Sequence, residues 1–138
     1  MSTNIATLPD QRWHLLLPKT AVIVDLALPT EAHDLLAGVP SGTRVAVVGG
    51  PRSRRFARRH RVIVERVYLV VPSLAEPLVV TDTTGNALSW FTGSILTVPS
   101  GRTRLHLLFW TAVRVARRWP RLLAHAPIGE RIVIGACR

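Results

Sequence analysis

Hydrophobic and polar positions along the chain change period several times, and each change predicts an element. "AVIVDLAL" (21–28) is β-branched and almost continuously apolar, the pattern of a strand buried on both faces. "RVAVVGG" (44–50), after the turn residues Ser41 and Gly42, predicts a second buried strand. "RVIVERVYLVV" (61–71) alternates with the period of a longer strand, "PLVVTDT" (77–83) predicts another, and "ERIVIGAC" (130–137) a closing one. A short strand is also expected in "WHLLLPK" (13–19), ended by Pro18.

Between these runs the spacing turns helical. Pro29-Thr30 opens a short helix ending at Gly38, and "PRSRRFARRH" (51–60) reads as a helix with Pro51 in its first position. "GNALSWFTGSILT" (85–97) predicts a third helix. The strongest pattern lies in 102–119, stopped by Pro120. There Leu105, Leu108, Phe109, Ala112, Val115, Ala116 and Trp119 share one side, which predicts the face turned to the core. Arg104, Arg114, Arg117 and Arg118 fall on the other, together with Leu107 and Trp110. Trp110 has two readings. It packs under the preceding segment, against Trp90 or Phe91, or it stands exposed beside arginines, a composition enriched in interface hot spots. A basic amphipathic helix also suits an anionic membrane surface, but a core-facing apolar side explains the pattern more simply.

Alternation of strands and helices predicts an α/β fold, parallel in its first half. At 138 residues one domain is expected, and 48% hydrophobic against 19% charged residues excludes a disordered chain. Charge changes the picture most. Eighteen basic residues, all but Lys19 arginine, face eight acidic ones, for a formal net charge of +10. Such a balance favours anionic partners: an acidic protein face, a phosphorylated ligand, acidic lipid or nucleic acid. The single Cys137 excludes an internal disulfide and a thiolate-rich metal site. No signal peptide or transmembrane span is visible, so a cytoplasmic protein is expected.

Gly49-Gly50, after an apolar strand and before an arginine-rich helix, has the setting of a phosphate cradle. It fails the G-x-G-x-x-G spacing, no acidic residue ends a second strand about twenty positions on, and no Gly-Lys-Ser/Thr is present. A structural turn is therefore expected there, with no cofactor site. The five histidines show no metal spacing, and no serine lies in a nucleophile elbow. Asp25 is the one carboxylate inside a buried-looking strand; His33 and Asp34 on the next helix are placed to approach it. These three form the candidate catalytic set. Asp82 is expected to cap a helix or form an Asx turn. The candidate anion- or partner-binding set is Arg52, Arg54, Arg55, Arg58, Arg59 and Arg61, anchored by Phe56 and Ala57, with Trp110, Arg114, Arg117 and Arg118 on the last helix. Phe56 is the only aromatic in the first cluster, which leaves no free platform for stacking bases.

The run "AVIVDLALPTEAHDLLAGVPSGTRVAVVGG" resembles the fourth strand, following helix and fifth strand of class I S-adenosylmethionine-dependent methyltransferases, with "VPSGTRVAVVGG" similar to the Pro- and Gly-containing turn before the fifth strand. "RRHRVIVERVYLVVPSLAEPLVV" is similar to the later helix-to-strand passage, especially in methyltransferase-like proteins of bacterial envelope and natural-product clusters, and "ERIVIGACR" to the last antiparallel strand. The resemblance spans about 20 to 137. It implies a small Rossmann-like sheet, parallel in its first half with antiparallel C-terminal strands, forming one truncated domain over 1–138. The family's cofactor sits on a Gly-rich turn after its first strand and on an acidic residue ending its second. Only about twenty residues precede Ala21, so neither feature is expected here. The resulting expectation is a non-catalytic accessory or scaffold subunit bound to a partner protein or peptide. A divergent transferase acting on an anionic small molecule or peptide is the alternative, and charge-driven nucleic-acid binding the third. A truncated sheet also exposes a strand edge, which predicts a heterocomplex or homo-oligomer.

Overall fold

The computed structural model describes residues 15–94 and 104–138. In chain order the elements are β1 (Val22–Asp25), α1 (Pro29–Gly38), β2 (Arg44–Gly49), α2 (Ser53–Arg59), β3 (Val62–Pro72), β4 (Pro77–Asp82), α3 (Gly85–Ser94), α4 (Arg104–Arg118), a 3-10 turn (Pro120–Ala124) and β5 (Glu130–Cys137). This is an α/β fold on one five-stranded mixed sheet of order β1-β2-β5-β3-β4. β1 and β2 are parallel, with α1 as their crossover. β5 runs antiparallel between β2 and β3, and β4 returns as a hairpin on β3.

Period-two alternation assigns the two faces. Val24, Val45, Val47, Val67 and Val133 meet Ala32 and Leu36 of α1 and Ala57 of α2. On the same face Leu69, Val71 and Val79 meet Leu88 and Phe91 of α3 and Leu123 of the 3-10 turn. The opposite face carries Val48, Val70, Ile132 and Ile134, packed with Leu17 and Leu74. The face assignment of β3 survives a bulge between Val64 and Arg66, beside Gly135 of β5. A Cβ on Gly135 would stand 2.3 Å from the Ile63 carbonyl oxygen, so only glycine lets β3 bend there.

Three expectations are corrected. Residues 15–20 hold a 3-10 turn and bends in place of the short strand expected in 13–19, whose first residues lie outside the described ones. The strand expected over 21–28 is only Val22–Asp25, and it is an edge strand rather than one buried on both faces: Val24 is buried, but Ile23 is 37% exposed. Among the described residues it pairs on one side alone, with β2, and α1 packs against it. The third concerns α4. Its principal neighbours are α3 and the 3-10 turn, not the sheet. These two short elements shield a narrow line of the described side chains of α4, and that line runs through Val113 and Ala116. Leu108, Ala112, Val115 and Trp119, expected in the core, face solvent. The side chains of Leu105 and Phe109 lie outside the described residues, as do positions 95–97 and 102–103 of the expected helices.

Candidate functional site

The site is built from the β2–α2 connection outward. Gly49 has φ +148°, and a Cβ there would lie 2.9 Å from Leu26 Cβ, so the residue is glycine because the β1–α1 connection presses on it. The Gly50 carbonyl accepts both the Ser53 hydroxyl (2.7 Å) and the Ser53 N–H (3.1 Å). The turn therefore spends its polar groups on itself. α2 starts at Ser53, two residues later than expected, with Pro51 outside it and Arg52 as an N-cap lacking a side-chain cap bond. Arg61, counted with the helix in the sequence, lies beyond it in a left-handed turn, φ +61°.

Ser53 and Ala57 bury the sheet-facing side of α2, and Phe56 packs beside them, its ring 4.1 Å from that of His60. The remaining side chains, Arg54, Arg55, Arg58 and Arg59, line a cleft of about 610 Å³ whose other walls include Val67, His125 and Arg131. Arg52 does not line it. A second concavity of about 580 Å³ shares Arg54, Val67 and His125 and adds Arg66, Arg121, Glu65 and Asp82. The first lobe thus carries arginines with no carboxylate, whereas the second is mixed in sign. Among the described residues the one ion pair is Arg44–Glu65, at 3.9 Å and outside the first lobe. The Arg54 Nε is buried without a hydrogen-bond partner.

Arg131 anchors the cleft. It is 2% exposed, and its two terminal nitrogens donate to the carbonyls of Ile128 (2.7 Å), Ala126 (2.8 Å), Leu123 (3.2 Å) and Glu130 (3.4 Å). Burial pushes its pKa down, but guanidinium remains protonated in proteins, so a fixed positive charge sits among carbonyls. The same bonds hold residues 123–130 in place and so position His125. Sequence reasoning missed Arg131, His125, Arg121 and Arg66. The signal for Arg131 was present: it is the one cation inside the apolar run "ERIVIGAC".

The candidate catalytic residues are distributed otherwise. Asp25 is exposed, not buried, and its Oδ1 accepts the Ala27 N–H at 2.9 Å, closing the turn after β1. His33 bonds His60 instead: Nδ1 to Nε2 is 2.7 Å. Because His60 Nδ1 must donate to the Phe56 carbonyl (2.9 Å), its Nε2 accepts, and His33 Nδ1 carries the shared proton when both rings are neutral. Neither Asp25 nor Asp34 bonds to this pair among the described residues. Asp82 forms an Asx turn, its Oδ1 accepting the Thr84 N–H at 3.0 Å.

The arginines of α4 form a separate surface. Trp110 is 46% exposed, and the Arg114 guanidinium carbon lies 5.2 Å from its ring centroid, within cation–π range. Arg117 Nε donates to the Thr92 carbonyl at 3.2 Å and ties α4 to α3. Arg118 borders a groove of about 510 Å³ with Val115 and Trp119. Among the described residues no group of three or more His, Cys, Asp or Glu is placed to hold a metal ion, and no helix is long and apolar enough to cross a membrane. In comparison with known proteins, the chain matches no family model, no curated protein and no solved structure.

Proposed function

We propose that this chain is a non-catalytic accessory domain with a degenerate methyltransferase-like, Rossmann-like fold, and that it binds an anionic segment of a partner protein in the cleft between α2 and the 3-10 turn. The observation that carries this reading is the charge of the first lobe: Arg54, Arg55, Arg58 and Arg59 share it with buried Arg131, and no carboxylate lines it. Planar guanidinium groups take carboxylates bidentately. The buried Arg54 Nε adds a donor that a ligand oxygen would satisfy; leaving such a donor unmade costs about 1–3 kcal/mol. Val67 and Ala124 line the wall, and no Phe, Tyr or Trp does, which favours a carboxylate-bearing peptide over stacked bases. The parallel β1–β2 pair and the antiparallel closing strand support the methyltransferase-like part of the reading. The second edge of β1, unpaired among the described residues, offers a partner strand its hydrogen bonds.

The test is fluorescence anisotropy of a labelled oligo-glutamate peptide over a salt series. Binding is expected to weaken as salt rises, and Arg54→Ala/Arg58→Ala to weaken it about tenfold or more. Equal affinity of parent and double variant overturns the reading. So does a clear preference for single-stranded RNA of equal charge, which would transfer the cleft to nucleic acid.

A further inference from the structure

The last third of the chain departs from the rest in charge. From Thr83 to Gly129 there is no Asp or Glu, while Arg102, Arg104, Arg114, Arg117, Arg118 and Arg121 and three tryptophans fall in that stretch. The structure turns this composition into a surface. Among its described side chains, α4 turns inward along Val113 and Ala116. On a wheel of 100° per residue, Val115, Leu108, Trp119 and Ala112 form the next stripe, and Arg104, Arg118, Leu107 and Arg114 the one beyond. Trp119 keeps its wheel position because its N–H continues the helical ladder to the Val115 carbonyl, at 2.9 Å. Leu107 is 70% exposed, Leu108 68% and Trp119 58%. Leu122, after the helix, is also exposed.

We infer that α4 and the 3-10 turn form a docking face for anionic membrane, with Leu108, Val115 and Trp119 entering among the headgroups and Arg104, Arg114 and Arg118 meeting the phosphates. Exposed apolar side chains in a contiguous patch mark an interaction surface. Charge complementarity decides what covers this one. The ligand must bring apolar surface and negative charge side by side along a convex helix, and an anionic bilayer presents both at every point. Arginine beside tryptophan and leucine is the composition of helices that lie in the interface plane. The groove between Val115, Trp119 and Arg118, about 510 Å³, gives a headgroup phosphate a place between apolar and basic walls. The helix lies on the bilayer rather than through it: at about 1.5 Å per residue, its 15 residues are too short to span. This face uses none of the α2 cleft arginines and stands without the peptide-binding reading.

The experiment is vesicle flotation of the full chain with phosphatidylcholine vesicles, with and without phosphatidylglycerol. The parent is expected to float with the phosphatidylglycerol vesicles and hardly at all with phosphatidylcholine alone. Leu108→Ser/Trp119→Ser, which leaves every charge in place, is expected to weaken partitioning about tenfold or more. Arg114→Glu/Arg118→Glu is expected to do the same. Circular dichroism of both variants should match the parent, since the substituted side chains are exposed. Failure of the parent to bind phosphatidylglycerol vesicles overturns the inference. Unchanged partitioning of the serine variant also overturns it, since net charge alone would then explain binding. A vesicle-free parent that sediments as a dimer while the serine variant sediments as a monomer assigns the face to a second copy of the chain instead. Arg55→Glu/Arg59→Glu on α2 separates this inference from the proposed function: it should impair oligo-glutamate binding while tryptophan fluorescence on vesicles stays shielded from an aqueous quencher.

Discussion

α2 and α4 are both arginine-rich helices, yet they make opposite kinds of surface. α2 rests directly on β2, β3 and β5, so its few apolar residues disappear into the core and its arginines remain over a closed floor. α4 rests mainly on α3 and the 3-10 turn, so most of its apolar stripe stays in water beside its arginines. The same residue type therefore has two meanings. Over a covered core, grouped guanidinium charge makes an anion cleft; beside uncovered Leu and Trp, it makes an amphipathic docking face. What lies beneath the helix decides which.

Substitutions can break this contrast, beginning with the largest effect. Arg131→Met should destabilise the protein by about 3 kcal/mol, because it orphans the carbonyls of Leu123, Ala126 and Ile128 that the guanidinium now satisfies. Thermal unfolding checks this, and a Tm equal to the parent's would show that water replaces those bonds. The cleft should lose oligo-glutamate affinity with its wall, while vesicle binding by α4 is retained. Gly49→Ala should cost about 1–3 kcal/mol, from a strained φ and contact with Leu26. Its anion affinity in the native state should equal the parent's, since the turn spends its polar groups on Ser53. Weaker binding by folded Gly49→Ala would instead return the turn to the site. The smallest effect belongs to Leu108→Ser/Trp119→Ser, whose stability should stay within about 0.5 kcal/mol of the parent, as for ordinary surface positions. A loss of several kcal/mol in urea titration would mean that the stripe is core after all, and the contrast between the two helices would collapse.

Much of the fold was legible. Continuous apolar runs located β2 and β5, alternation located β3, and Pro120 marked the end of α4, because period and chain breakers act within a few residues of sequence. The α2 arginines were legible as a group for the same reason. Their cleft was not, since Arg131 and His125 come from distant sequence and meet α2 only across the sheet and the 3-10 turn. Asp25 misled: an acidic residue in an apolar run reads as buried, but β1 is an edge and the carboxylate closes a turn. The partner of His33 was likewise out of reach, because His60 lies 27 positions away and only the packing of α1 beside α2 joins them.

By itself the sequence determined the α/β alternation, the basic excess and the amphipathic period of α4, all of which are local or additive quantities. Tertiary structure alone decided which side of α4 is covered and which arginines share a cleft. Periodicity reports that a helix has an apolar side; whether that side is buried depends on how wide an element packs against it. For α4 that support is narrow, and Leu108 and Trp119, which the period assigns to the core, remain at the surface.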